Sequence, residues 1–543
     1  MRASSPRAAP RGQRPIRELR VYTTGEAALQ SPESRQAMRV TFVTTGLEHL
    51  GIEALSAYLR AHGHETQLVY EARPFSSGSG TDIELLARLL EPSPEETAAR
   101  VVKTRPDVVA FTSYSVTHRW SVEVARAIKA AMRVPIVFGG PHVGSTPERA
   151  ILEPAIDAVV EGEGEGALLD LVECAERDRF GRRDIPNVTT KGLLKPRRNL
   201  PRPLVQDLDE LPFADKSIFY EAVPGYEREF YAVSRRGCPF RCSFCEYSTF
   251  PQQYPGEKPV RRRSVEHVVR ELKPWKARGR MKKVFFWDPI FTLDNRWMAE
   301  FAEGYRSEIG VPFECYTHPN AMNREMASLL AEAGCVMVRV GVQTVNSDTL
   351  AAVDRRGDED RIRKTIGYLS DFGIPYSVDH IIGLPGEGAG DQVAAIRFYN
   401  EVRPTRIIAH WMTYFPGTTA LDHARERGLL TEEAIARILD GEVGPGYMYE
   451  GNVDYPEHEE LRRLSNLFDL LPLLPPSAIK WLLDGGRYRM LPTSSYLRQV
   501  GVVGLALKGD RATRERIQHL ASSVFGALAD GLRSRARAAG ALE

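Results

Sequence analysis

Three of the chain's six cysteines fall within eight residues, Cys238-Pro239-Phe240-Arg241-Cys242-Ser243-Phe244-Cys245. This C-x3-C-x2-C loop constrains the chain more than any other stretch, because thiolates clustered within one loop's reach select zinc or iron–sulfur chemistry. A 4Fe–4S cube normally takes four protein ligands, so three local cysteines leave one iron open to a further ligand. The alternative is a zinc site completed by Cys174, Cys315, Cys335 or a histidine. Zinc sites more often pair C-x2-C with a second, distant pair, and this sequence has none. Either site needs reduced thiols, so a cytoplasmic location is expected.

On both sides of the loop the hydrophobic pattern alternates between strand and helix. Strands are predicted at Arg39–Thr45, Thr66–Tyr70, Asp107–Ser113, Pro135–Gly139 and Ala158–Val160. Helices are predicted at Gly51–His62, Asp82–Leu90, Pro94–Lys103, Ser121–Met132 and Glu165–Glu176. Such alternation implies an α/β fold with a doubly wound parallel sheet, whose ligands bind outside the carboxyl ends of the strands. A second series starts at Phe230 and delivers the cysteine loop. It continues with strands at Lys283–Trp287, Phe313–Thr317, Val336–Val342, Tyr376–Ile382 and Arg406–Trp411, separated by helices.

The cysteine spacing, with the aromatic Phe244 before the third cysteine, resembles the radical S-adenosylmethionine enzymes. The strand-end loops before it, Ser113-Tyr114-Ser115, Gly139-Gly140-Pro141-His142 and Glu161-Gly162-Glu163-Gly164-Glu165, are similar to the cobalamin-binding domain of the cobalamin-dependent branch of that family. The resemblance implies a 4Fe–4S cluster on Cys238, Cys242 and Cys245, with S-adenosylmethionine on the open iron. It implies that Ser113, Ser115, Gly139 and Gly140 line the nucleotide tail of cobalamin, with Gly162 and Glu163 on the same edge. In the second series it implies a partial (βα)6 barrel. There Asp288, Arg339, Gln343, Tyr414 and Pro416, with Phe244, contact the cosubstrate, and Gly383-Leu384-Pro385-Gly386-Glu387 matches the family's G-L-P-G-E. The wider superfamily's D-x-H-x-x-G is absent. His49, in Gly46-Leu47-Glu48-His49-Leu50-Gly51, is expected to be a loop residue rather than a cobalt ligand.

The organisation expected is a disordered tail over 1–37, a Rossmann-like cobalamin-binding domain over 38–179, a linker over 180–227, the barrel over 228–428 and a mainly helical C-terminal domain over 429–543. The last is predicted to have helices at His458–Leu474, Ser477–Asp484 and Thr513–Leu532 and to cap the barrel mouth; Tyr447, Tyr449, Tyr455, Trp481 and Tyr488 give it aromatic content. With 72 basic and 71 acidic residues, the charge balance argues against bulk binding of nucleic acid. No apolar run reaches the roughly 20 residues of a membrane span. Cys174, Cys315 and Cys335 read as packing residues. His380 reads as a satisfied core histidine, and Arg339 with Asp379 as a candidate pair inside the barrel.

The activity this resemblance implies is methylation of an unactivated carbon by way of a 5′-deoxyadenosyl radical and methylcobalamin. The substrate would be a small molecule or peptide, and the electron donor a flavodoxin or ferredoxin. Two alternatives stand beside it: oxidative ring closure, as in the anaerobic magnesium-protoporphyrin ester cyclases, and a non-catalytic metal-dependent sensor holding zinc.

Overall fold

Val40 to Thr45 are all buried, as a strand covered by helices on both faces must be. This is β1 (Arg39–Thr45) of a computed structural model that describes residues 36–46, 48–73, 91–176, 184–442 and 451–494, with scattered positions to 507. The first sheet adds β2 (Glu65–Glu71), β3 (Val108–Thr112), β4 (Ile136–Gly139), β5 (Ala158–Val160), β6 (Val188–Thr190) and β7 (Arg197–Arg198). Their spatial order is β2-β1-β3-β4-β5-β6-β7. The first five strands are parallel, and the order reverses beside β1, opening a crevice at the carboxyl ends of β1 and β3. Helix Pro94–Lys103 begins as its sequence predicts, with Ser93 and Glu96 forming a reciprocal capping box.

The stretch expected to be only a linker, 180–227, does more than connect. Its β6 and β7 extend the first sheet in antiparallel sense, a pairing that short, turn-flanked strands do not announce in sequence. The helix expected over Asp82–Leu90 and the one over Thr513–Leu532 lie outside the described residues, as do Tyr447 and Tyr449.

The second sheet contains β8 (Glu229–Ala232), β11 (Lys283–Phe286), β12 (Phe313–Thr317), β13 (Cys335–Gln343), β14 (Tyr376–Ile382) and β15 (Arg406–Trp411), all parallel. Its order, β15-β14-β13-β12-β11-β8, is that of an open six-stranded barrel wall. A short antiparallel ladder of β9 (Arg235–Arg236) and β10 (Arg261–Arg262) sits at the base of the cysteine loop. Side chains alternate along each strand. Phe230, Val284, Phe286, Val338 and Ile407 join a core of buried residues packed with the surrounding helices. The alternate set, Tyr231, Phe285, Tyr316 and Arg339, forms a second cluster of touching side chains.

His380 belongs to the core set. It is fully buried, with its ring nitrogens 3.1 Å from Tyr399 Oη and 2.8 Å from Gln392 Oε1. Cys315 and Cys335 are buried, on β12 and at the start of β13. Helices His458–Leu470 and Pro476–Leu483 do not cap the mouth. They lie on the flank, against helix Ala389–Val402 and β15, where Phe468 meets the His380 ring at 4.6 Å. Their apolar residues complete the outer core, which a flank position satisfies and a mouth position would not.

The described residues from Met38 onward pack as one unit. At its centre Lys216 Nζ lies 2.7 Å from both Glu48 Oε1 and Glu53 Oε2, with no exposed surface on any of the three side chains. Lys216 also stands 4.7 Å from the Phe230 ring of β8. Burial opposes charge on the lysine, but the two carboxyls outweigh it and raise its pKa. Burial, reinforced by Glu48, pushes the Glu53 carboxyl well up against the pull of Lys216. With one cation between two carboxyls, Glu53 is held towards its protonated form.

Lys216→Met strands these carboxyls, and removing one partner of a buried pair costs about 3–5 kcal/mol. Urea unfolding is expected to register that loss. Adding Glu48→Gln and Glu53→Gln to Lys216→Met is expected to recover most of it.

Candidate active site

The cysteine loop is held from below by an acid. Asp288 follows β11 and is fully buried. Its Oδ1 accepts from Ser234 N at 2.9 Å, Ser234 Oγ at 3.1 Å and Arg235 N at 2.6 Å, the backbone that leads into the loop. Burial lifts its carboxyl to about 6 despite these donors and Arg235. Asp288, expected to contact the cosubstrate, is thus engaged first with the loop's entry. Its Oδ2 is buried and has no hydrogen-bond partner among the described residues.

The loop itself is tight. Cys245 N donates to Cys242 O at 2.9 Å, and Ser243 is clamped on both sides, its N–H on Val353 O and its carbonyl accepting from Ala420 N, each at 2.9 Å. Phe240 stacks face to face on His318, centroids 3.9 Å apart at 12°. Arg355, only 7 % exposed, donates from Nη1 to Cys242 Sγ at 3.3 Å and from Nη2 to the Gly341 carbonyl. Burial raises the Cys238 thiol and pushes that of Cys245 up to about 12, and the three sulfurs are near enough to influence one another. Among the described residues no three His, Cys, Asp or Glu side chains are already gathered in metal-ligating geometry. A soft donor set on one short loop, with a guanidinium alongside, is nevertheless the chemistry an iron–sulfur cluster requires.

Gln343 ends β13 at a bulge, where the register shifts between Gly341 and Gln343, and it has the left-handed φ of 72°. Bulges at barrel rims re-aim side chains, and a non-glycine residue there signals a backbone held by its surroundings. Part of that support is the next residue, Thr344, which donates to Glu387 of the G-L-P-G-E loop. Gln392 Nε2 donates to the same carboxyl at 3.0 Å. Burial raises Glu387 to about 7, outweighing these bonds. Arg339 lies deeper in the barrel. It reaches Glu314 Oε2 and Tyr316 Oη, each at 3.3 Å, and sits 4.4 Å from the Phe285 ring, so its ion pair is with Glu314 and not with Asp379. On the opposite side Tyr414 is buried in an apolar cluster with Leu384, Met412 and Ala420, against which Phe244 packs. Asn452 pairs with both the N–H and the carbonyl of Tyr414, and Pro416 is buried beside it in sequence.

The first sheet presents its own strand ends. Ser113 N donates to Gly139 O at 2.7 Å, and His142 N donates to Ser113 O at 3.1 Å. Gly140 has φ 100° and ψ 172°, a region open essentially to glycine. A Cβ there would stand 2.8 Å from the Ser113 backbone. Ser113 Oγ and Ser115 Oγ are bonded to His118 Nδ1 (2.8 Å) and His142 Nδ1 (2.9 Å). The two rings lie 4.2 Å apart, and burial pushes their pKa values down to about 4 and about 3, leaving both neutral. Sequence reasoning missed this pair. Its only signal is one histidine just after each strand-end loop.

Gly162 admits Tyr254, whose hydroxyl would be 1.6 Å from a Cβ at that position. Glu163 turns to the barrel side. Burial opposes its charge, but Arg261 (2.7 and 3.0 Å) and Arg236 (3.2 Å) win and lower its pKa. The C-terminal edge of the first sheet therefore meets the base of the cysteine loop. Tyr114 marks the cleft between them. It is 40 % exposed and stacked on His49 at 5.3 Å. His49 bonds to Thr45 O at 3.2 Å in the loop after β1.

Gly140→Ala forces a Cβ onto Ser113, so retention of cobalamin through gel filtration is expected to fall about tenfold or more while iron uptake is unchanged. Glu387 gives a pH signature. Its folded-state pKa lies above the unfolded value, so its contribution is present below about pH 4 and lost as pH rises to 7. Glu387→Gln is therefore expected to gain stability over wild type between pH 5 and pH 8, on the order of 3 kcal/mol by urea unfolding.

Residues 39–172 match the family model described as B12 binding domain, and residues 233–399 match that of the Radical SAM superfamily. A protein of Pyrococcus horikoshii named as an uncharacterized methyltransferase is 28% identical over 360 residues, 64% of this chain and 76% of that one. The anaerobic magnesium-protoporphyrin IX monomethyl ester cyclase of Rubrivivax gelatinosus is 24% identical over 395 residues, 70% of this chain and 68% of that one. In fold, the chain is similar to the radical S-adenosylmethionine methyltransferase TsrM of Kitasatospora setae, with a TM-score of 0.58 at 15% identity, covering 83% of this chain and 99% of that one. With a B12-binding domain followed by a radical SAM domain, each on its own parallel sheet, the chain belongs to the cobalamin-dependent radical S-adenosylmethionine enzymes.

Proposed function

We propose that the chain methylates an unactivated carbon of a small-molecule or peptide substrate. One observation carries this reading: the strand-end loop after β5 meets the base of the cysteine loop, where Glu163 and Glu165 pair with Arg236 and Arg261. When bound, the cluster, S-adenosylmethionine and cobalamin supply a hydrogen-abstracting radical and a transferable methyl group. The chain's own residues hold and enclose them. Cys238, Cys242 and Cys245 are the cluster ligands. Asp288 fixes the loop's entry, and its free Oδ2 is available to a donor on the cosubstrate. Gln343 is aimed from its bulge towards the same ligand, and Phe244, Tyr414 and Pro416 give an apolar wall for the adenine. Arg339 is assigned to the barrel interior beneath that site, where it meets cosubstrate or substrate through whichever donors Glu314 and Tyr316 leave open.

Ser113, Ser115, Gly139 and Gly140 form the floor for the nucleotide tail of cobalamin, and Gly162 and Glu163 close its barrel side. Buried residues such as Ser113, Cys242 and Asp288 keep water from the depth of the site, where it would otherwise quench a radical. A low-potential flavodoxin or ferredoxin is the electron donor, and the near-neutral charge fits no nucleic-acid partner. Three cysteines read as cluster ligands support a location in the reducing cytoplasm. No helix among the described residues is long and apolar enough to cross a membrane.

Protein reconstituted without oxygen is expected to bind one cluster and one cobalamin, and to release 5′-deoxyadenosine when reduced with S-adenosylmethionine. Cys242→Ala is expected to lose the iron and at least about a hundredfold of that release, yet keep its cobalamin. Methyl-labelled S-adenosylmethionine distinguishes the outcomes. Label recovered with the protein-bound cobalamin fits methyl transfer; deoxyadenosine without transferred label would instead favour oxidative cyclisation. Zinc in place of iron would leave the sensor reading.

A further inference from the structure

Arg355 is a buried cation with no carboxylate in direct contact among the described residues; Asp379, opposite Gly341 on the next strand, acts on it only through space. Arg355 is 7 % exposed, and among the described residues it makes no ion pair, only the bonds to Cys242 Sγ and the Gly341 carbonyl. Burying a guanidinium against a thiol and a carbonyl is unfavourable unless an anion completes the site. The Gly341 bond anchors one arm of the fork to the rim of β13, which leaves the other arm aimed at a ligand sulfur. Arg355 follows the short helix Ser347–Ala352, whose next residue, Val353, accepts from Ser243 N inside the cysteine loop. The backbone that delivers the guanidinium is therefore tied to the loop it approaches.

We propose that Arg355 is a positioning residue for the cluster: it donates a charge-assisted hydrogen bond to the Cys242 thiolate and favours the reduced state. Hydrogen bonds to cluster sulfurs and nearby charge are the levers by which a protein sets such a potential. A fixed positive charge on a ligating sulfur stabilises the extra electron, so the reduction potential is higher with the arginine than without it. The inference rests on the reading that Cys238, Cys242 and Cys245 hold the cluster.

The test uses the full chain, reconstituted without oxygen and without S-adenosylmethionine, as wild type, Arg355→Met and Arg355→Lys. Iron and sulfide counts report loading. A redox titration followed by electron paramagnetic resonance reports the ratio of reduced to oxidised cluster at a fixed potential. The Met variant is expected to lower that ratio about three- to tenfold, the range an ordinary hydrogen bond commands. The Lys variant, with charge but no fork, is expected to lie between. A wild-type ratio in either loaded variant overturns the proposal, and is what a role confined to the cosubstrate's carboxylate would give. Failure of both variants to load overturns it in favour of a purely structural prop. Wild-type protein that takes up no iron brings down the cysteine reading itself, a result the iron count separates from the others.

Discussion

The arrangement of the two cofactor domains depends on one buried cation. Lys216 comes from the connecting segment, its two carboxyl partners from the first helix and the loop before it, and the ring beneath it from the first barrel strand. Three parts of the chain converge on a group that water cannot reach. Other contacts cross the same boundary, among them Arg149–Asp440, an ion pair exposed by about half on both sides. Exposed pairs contribute about 0.2–1 kcal/mol and are screened by salt, whereas separating a buried set leaves uncompensated charge. The inner cluster therefore fixes where the strand ends of one sheet face those of the other. The Glu163 and Glu165 contacts to Arg236 and Arg261 then hold the cysteine loop's base against β5.

Most of this architecture was legible in the sequence because its signals are local. Strands such as Phe313–Thr317 and Tyr376–Ile382 are short segments rich in aromatic and β-branched residues, and they begin and end where the pattern predicts. The cysteine spacing carried the chemistry in the same way. What was not legible depends on pairing at a distance. The two strands Val188–Thr190 and Arg197–Arg198 are too short to have a period, and only the open edge of β5 makes them strands. The C-terminal helices looked like a cap by their position in the chain. Their apolar faces instead complete the barrel's outer core, and only the partner surface decides that.

The same distinction explains the site residues. Gln343, Arg355 and the cysteine loop come together around Gly341, where a Cβ would meet the Gln343 amide at 3.1 Å and the Arg355 guanidinium at 3.3 Å. Gln343 was visible because it ends a strand. Arg355 was not, because it follows a short helix with no strand-end signal, and its place is set by a backbone bond between Val353 and Ser243. Asp288 and Glu387 were visible as motif acids, but their hydrogen-bond partners were not. A motif gives the residue type that a position needs, whereas its partners fix what the side chain does.

Those partners share a physical logic. A site that generates a radical works best with few loose polar groups and little water. Around this cleft, His118 and His142 are held neutral by burial and bonded to serines, and Glu163 is matched by two arginines. Asp288 keeps one oxygen fully engaged and the other buried and free. The walls are therefore neutralised pairwise before any ligand arrives, and the charge left unmatched is concentrated beside the cysteines.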